Sequence, residues 1–79
     1  MLEMRSTLEL MQIAAAGGGF EFRATMRPTI ELVQIASAAA RGNCMVKMRG
    51  LRMRPTAELV QIGAAGAGHV FFADSLPKP

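Results

Sequence analysis

The sequence predicts an α/β fold: three tandem helix-strand repeats building a parallel sheet with its helices on one face, a short curved solenoid-like layer. Three observations carry that reading. One phrase recurs three times, as Arg5-Ser-Thr-Leu-Glu-Leu-Met-Gln-Ile13, Arg27-Pro-Thr-Ile-Glu-Leu-Val-Gln-Ile35 and Arg54-Pro-Thr-Ala-Glu-Leu-Val-Gln-Ile62. Every copy runs into an Ala-rich stretch, then glycine, then a β-prone segment. The first such segment alternates Phe20, Phe22, Ala24 and Met26 against Glu21, Arg23 and Thr25, the mark of a sheet with one buried and one wet face. A single helix-strand unit cannot bury its apolar side alone, so architecture follows from how the units stack.

Residues 1–4 stand before the first phrase where Ala24-Thr-Met26 and Leu51-Arg-Met53 stand before the later two, and they read as the end of a leading strand. The first helix opens at Ser6, which makes a Ser-x-x-Glu capping box with Glu9. It runs through Ala14-Ala-Ala16, stops at the glycines 17–19, and leads into a strand over 20–26. The second helix opens at Pro28, whose fixed φ suits a helix start; it stops at Gly42, and a strand follows over 44–53. Pro55 opens the third, glycines between 63 and 68 end it, and 70–73 form the last strand. The order is β-α-β-α-β-α-β.

A helical wheel of the second helix gathers Arg27, Glu31, Gln34, Ala38 and Arg41 on one narrow face. Leu32, Ala36 and Ala39 point one way, flanked by Ile35 on one side and by Ile30, Val33 and Ser37 on the other, an apolar arc far wider than a surface helix carries. Such a helix lies on a sheet with a helix on each side. Right-handed crossovers between adjacent parallel strands place successive helices on one face, which predicts sequential strand order. Strands sit about 4.8 Å apart and helices about 8–10 Å apart, so the sheet must curve unless the helices are slim. Ala and Gly at the helix contacts ease that conflict.

The layout resembles a short leucine-rich-repeat horseshoe, an α/β solenoid. The phrase returns after 22 residues between Arg5 and Arg27 and after 27 between Arg27 and Arg54, spacings within that family's range. The resemblance is architectural and implies a fold alone. The family's Leu-x-x-Leu-x-Leu-x-x-Asn/Cys phrase is absent and Asn43 is the only asparagine, so no family function is carried over. A different three-unit α/β arrangement is the alternative.

At 79 residues the chain reads as one domain, 1–79, with repeats at about 5–26, 27–53 and 54–74 and a short tail at 75–79. That size lies near the lower limit for independent folding, and alanine contributes little burial per residue, which argues against a stable monomer. The net charge of +3 permits attraction to polyanions but falls short of a polybasic tail. Cys44 is the only cysteine, which excludes an intramolecular disulfide and a cysteine-built metal site and points to a reduced, cytoplasmic setting. The N-terminus lacks a basic segment followed by an apolar stretch, and the longest apolar region, 59–73, is interrupted by Gln61 and His69. Neither a signal peptide nor a membrane span is expected.

Solenoids usually close with atypical repeats whose outer faces are polar. Here Leu8 and Met11 in the first unit, and Ala57 and Val60 in the third, are as apolar as their counterparts in the middle. The last strand, with Val70, Phe71 and Phe72, is apolar on both faces although it should form an exposed edge, and such an edge recruits another chain. Leu8, Met11, Val60, Val70, Phe71 and Phe72 are therefore the candidate oligomer interface. The simplest assembly is a two-fold dimer joining sheets or end helices. Alternatively, residues 74–79, with two prolines, fold over this edge and block strand pairing.

Arg5, Arg27 and Arg54 each stand four residues before a glutamate, Glu9, Glu31 and Glu58. A cation at a helix N-terminus opposes the macrodipole, and Arg before Glu is the weaker i,i+4 order, so three in a row require an explanation. Stacked Arg–Glu ladders between repeats supply the favoured one; an anion site built from three aligned helix N-termini is the other. Gln12, Gln34 and Gln61 recur three residues after each glutamate, either as inter-repeat hydrogen bonds extending the ladder or as a docking surface. Between Arg41 and Arg54 there is no acidic residue, and alternation places Lys47 and Arg49 on the open sheet face beside Arg23. With Arg52 these form a candidate phosphate or nucleic-acid contact. Only Phe71 is placed to add the base stacking that single-strand binders use, and Glu21 lies among the cations. His69 lacks a second histidine and reads as a surface residue at a strand start, and Cys44 reads as a small buried hydrophobe. The glycine clusters follow helices, whereas phosphate loops precede them.

No paired catalytic groups emerge. The expected function is that of a small non-enzymatic, self-associating repeat scaffold or protein-interaction module, a homodimer or higher homo-oligomer without cofactor or metal. The alternative is a nucleic-acid or anion-binding protein that uses the basic strand face.

Overall fold

The computed structural model of the chain describes residues 5–73. In order, α1 spans Thr7–Ala15, β1 Phe20–Arg23, α2 Thr29–Gly42, β2 Val46–Arg49, α3 Thr56–Gly66 and β3 Val70–Phe72. The leading strand expected at 1–4 and the tail from 74 onward lie outside the described residues. All strand pairs are parallel and the order is β1-β2-β3, sequential as the wide apolar arc of the second helix predicts. The register aligns Phe20, Val46 and Val70 in one row and Phe22, Met48 and Phe72 in another. Phe22, Val46 and Met48 are fully buried, and Phe20, Val70 and Phe72 pack against the same core. The intervening positions, Glu21, Arg23, Lys47, Arg49 and Phe71, occupy the opposite face, so one side of the sheet is covered by helices and the other is wet. Within the helix layer α1 packs on α2, and α2 on α3.

Each helix starts within a copy of the phrase. Ser6 caps α1: its hydroxyl accepts the Glu9 N–H at 3.2 Å while the Glu9 carboxylate accepts the Ser6 N–H at 3.2 Å, closing the capping box. Pro28 and Pro55 occupy the N-cap positions of α2 and α3, where a missing N–H leaves no helical bond unmade. The helices stop by left-handed residues, Asn43 (φ 56°) after α2 and Ala67 (φ 48°) after α3, with the Cys44 N–H returning to the Ala39 carbonyl at 3.1 Å. Gly42 therefore does not make the turn. It is the last residue of α2, and a Cβ there would fall 1.8 Å from the Ala14 carbonyl oxygen, so it sets how closely α1 and α2 approach.

Two details differ from the sequence pattern. The alternation over 20–26 extends beyond the strand, which ends at Arg23; the Ala24 N–H still bonds the Arg49 carbonyl at 2.7 Å, and then the Arg27 N–H closes a turn onto the Ala24 carbonyl at 3.1 Å. The same turn closes from Arg54 to Leu51 at 3.0 Å, so the strand expected over 44–53 is limited to Val46–Arg49. Ala24 and Leu51 stay buried, whereas Met26 and Met53 stand at the turn tips, 92% and 89% exposed. The second difference concerns α2: Ala38, grouped by the wheel with polar residues, is fully buried, and Ile30, grouped with apolar ones, is 65% exposed. Of the narrow polar face, Arg27 and Glu31 bond to Thr7 of α1 and Ala38 is buried, whereas Gln34 and Arg41 are exposed, and Ile30 tops the helix layer.

The helical part of the core is built largely from alanine, with Ala14, Ala36, Ala38 and Ala39 fully buried. A Cβ on Gly66 would lie at ordinary contact distance from the Ala36 Cβ, 3.5 Å, but only 2.4 Å from Val70 Cγ2, so Gly66 sets how closely α3 lies on β3. Replacing Gly42 with alanine forces a methyl group into the Ala14 carbonyl, and the G42A variant is expected to lose about 1–3 kcal/mol of stability by chemical denaturation followed by circular dichroism. An unchanged midpoint would mean that the helices separate at no cost.

Candidate functional site

Three threonines repeat inside the phrase, and two of them join neighbouring helices. The Thr7 hydroxyl accepts from Arg27 Nη1 at 2.7 Å and donates to Glu31 Oε1 at 2.6 Å. One unit on, the Thr29 hydroxyl accepts from Arg54 Nη1 at 2.8 Å and donates to Glu58 Oε1 at 2.7 Å. A hydroxyl has one proton to give, and here it goes to the carboxylate while a lone pair faces the guanidinium. The second guanidinium nitrogen reaches the preceding turn: Arg27 Nη2 donates to the Arg5 carbonyl, and Arg54 Nη2 donates to the carbonyls of Arg27, Thr25 (3.2 Å) and Ala24 (3.4 Å). This geometry explains an arginine ahead of a helix start, since carbonyls of the previous unit offset the unfavourable dipole. Arg27 also lies over the Phe22 ring, 5.6 Å from its centroid.

Arg27 with Glu31, and Arg54 with Glu58, thus each meet a threonine of the preceding unit. Arg54 and Glu58 also pair within their own unit at 3.9 Å. The missed residue was legible, because the phrase reads Arg-x-Thr-x-Glu in every copy. Gln12, Gln34 and Gln61 are exposed, and no hydrogen bond joins them to the ladder among the described residues.

The seam has two sides, and each end of the helix layer presents one of them. Toward the preceding helix, α2 turns Arg27, Glu31, Ile35 and Ala38, and α3 turns Arg54, Glu58, Ile62 and Ala65. Ile35 and Ile62 are fully buried there. The matching residues of the first unit, Arg5, Glu9, Ile13 and Ala16, line an open groove of about 390 Å³ together with Gln12, with Ile13 half-buried and the others exposed. Toward the following helix lie Thr7, Met11 and Ala14 in α1 and Thr29, Val33 and Ala36 in α2, all half-buried or buried. Their counterparts in α3 are Thr56, which is exposed, Val60, which is 62% exposed, and Gly63, where an added Cβ would meet nothing within 4 Å.

No known family, curated protein or solved structure matches the chain. Geometry alone must indicate what these surfaces do.

Of the residues assigned to an oligomer interface, Leu8, Val60 and Phe71 are 63%, 62% and 53% exposed, while Met11, Val70 and Phe72 are half-buried against the core. On the open sheet face the register sets Lys47 opposite Glu21 and Phe71, and Arg23 opposite Arg49. Lys47 Nζ lies 5.9 Å from the Phe71 ring centroid, and Arg49 Nε donates to the Glu21 carboxylate. Arg52 is exposed in the turn after β2. His69 Nδ1 donates to the Cys44 carbonyl at 2.9 Å, and the Cys44 thiol donates to the Ala14 carbonyl at 3.3 Å, so both residues belong to packing seams. Among the described residues no three His, Cys, Asp or Glu side chains converge as a metal site, and no helix is long and apolar enough to cross a membrane.

The ladder makes a differential prediction. Thr29→Val leaves Arg54 and Glu58 without their shared partner and is expected to cost about 1.5–3 kcal/mol, whereas Thr56→Val at the open end changes stability by less than about 0.5 kcal/mol in dilute denaturation. Equal losses would contradict an inter-unit role.

The Glu21–Arg49 pair predicts a pH dependence. The hydrogen bond from Arg49 holds the Glu21 carboxyl below its ordinary value of 4.5, aided by the charges of Arg49 and Lys47 and opposed by desolvation. A depressed folded-state value means that the carboxylate stabilises the fold above the ordinary value and loses that effect as pH falls through the depressed one. Thermal melts across acid pH should show wild type above Glu21→Gln near neutrality, with the gap closing on acidification. A gap constant with pH would mean that the contact does not act through ionisation.

Proposed function

We propose that the protein is a small non-enzymatic repeat scaffold, an α/β solenoid segment that works by self-association. The observation that supports this reading is the placement of large apolar side chains on the outside: Leu8, Ile30 and Val60 on the helix layer, Met26 and Met53 at the turn tips, and Phe71 on the sheet, each more than half exposed. A chain of 79 residues that leaves so much apolar surface in water gains from covering it with another copy. The buried thiol of Cys44, in no disulfide, fits a reducing, cytoplasmic setting.

A second reading, contact with phosphate or nucleic acid through Arg23, Lys47, Arg49 and Arg52, draws on the cross-strand Arg23–Arg49 neighbours. The engagement of Arg49 by Glu21 and of Lys47 by Phe71 weighs against it. Light scattering coupled to size exclusion, over a wide concentration range at low and high salt, separates the two. Self-association through apolar surface gives a mass above that of the monomer that salt does not reduce. A monomer at every concentration overturns the scaffold reading, and a polyanion complex lost at high salt would favour the second one.

A further inference from the structure

We propose that the chain associates head to tail: the outer flank of α1 in one copy seats on the outer flank of α3 in the next. The inference rests on the self-association reading and gives it a geometry that covers Val60 among the exposed apolar side chains. The α1 flank (Arg5, Glu9, Ile13, Ala16) repeats the surfaces that α2 and α3 bury against their predecessors, and the α3 flank (Thr56, Val60, Gly63) repeats the surfaces that α1 and α2 bury against their successors. Each end therefore carries one half of a contact that the molecule already makes twice.

The chemistry at the two ends is complementary residue by residue. In both internal seams an arginine donates to the preceding threonine hydroxyl and to a carbonyl at the preceding phrase's arginine, while a glutamate accepts the threonine proton. At the α1 end stand the arginine and glutamate, Arg5 and Glu9; at the α3 end stand the threonine and the Arg54 carbonyl. Glu9 accepts the Ser6 N–H through Oε1, and a carboxylate has capacity for a further bond, so capping and docking are compatible. Apolar shape agrees as well. Ile35 and Ile62 are buried by a preceding helix whereas Ile13 is half-buried beside a groove, and the open space at Gly63 lies where Ala14 and Ala36 are buried by a following helix.

An isologous two-fold contact through either flank satisfies none of this. It would set Arg5 against Arg5 of the other copy, or Thr56 against Thr56 with no ion on either side. The contact is heterologous, so it extends into a filament or closes into a ring.

Two variants block one end each without touching the packed core. Ala16 is exposed in the monomer although its counterpart Ala38 is fully buried, so Ala16→Arg blocks the α1 flank; Gly63→Arg fills the open space on the α3 flank. Circular dichroism establishes that each is folded, and Arg5→Glu, a charge reversal on an exposed residue, gives a second α1-flank variant. Light scattering is then run on wild type, on each variant alone and on their equimolar mixture. Head-to-tail docking predicts that wild type grows with concentration, that A16R and G63R are each monomeric, and that mixing them doubles the mass and goes no further, because one intact flank of each remains. If wild type associates but the mixture stays monomeric, or a single variant still associates like wild type, the head-to-tail geometry is overturned while self-association stands. If wild type is monomeric throughout, both readings fall.

Discussion

Sequential parallel strands sit about 4.8 Å apart, and the helices that connect them, all on one face, ordinarily need about 8–10 Å. That mismatch governs the rest of the molecule. The chain meets it by making the helix flanks small: Ala14, Ala36, Ala38 and Ala39 are buried, and Gly42 and Gly66 stand where a methyl group would collide with the Ala14 carbonyl or with Val70. Slim flanks have a consequence for stability. Alanine and glycine bury little apolar surface, so the larger burial falls to Leu10, Phe22, Leu32, Ile35, Val46, Met48, Leu51 and Ile62. The helices have few bulky knobs to hold them in register with one another.

Polar chemistry supplies that register. Thr7 and Thr29 each accept a guanidinium and donate to a carboxylate of the next unit, and the arginines also bind carbonyls of the preceding turn. A slip of one helical turn would separate all of these groups at once and leave partly buried charges without partners, which is costly in proportion to burial. The Arg54 side chain is only 18% exposed, so its bonds act in a medium less screened than water. The arginine ahead of each helix, awkward from the viewpoint of its own macrodipole, makes sense once the partner is sought in the previous unit.

Helix positions and strand order were readable because the phrase is repeated and because apolar residues surround the second helix almost completely. Strand ends were not, since the alternation of Phe20 to Met26 continues through a turn in which Ala24 is still buried and Met26 is not. Alternation reports which side a residue takes, and it is silent on when the chain leaves the sheet. Ala38 and Ile30 went to the wrong sides for a related reason: in a helix with neighbours on both flanks, the exposed direction is the one pointing away from the sheet, and a polar stripe can mark a seam instead. Threonine was passed over in the ladder because Arg and Glu suggest a direct ion pair, although an uncharged hydroxyl bridges both ions when the two side chains approach it from the same unit.

Under the head-to-tail arrangement the polar and apolar parts of each end face have separate roles. Arg5, Glu9 and Thr56 are well solvated in an isolated chain, so docking them exchanges water for protein partners with little net gain. Ile13 and Val60 lose water without a compensating loss, so affinity rests with them. What the ladder residues add is direction, because arginine and glutamate occur at one end and the threonine acceptor at the other. The open face of the sheet, with Lys47 over Phe71 and Arg49 on Glu21, runs across this axis and takes no part in the helix contact. Assembly would therefore line up successive copies of that face along one side.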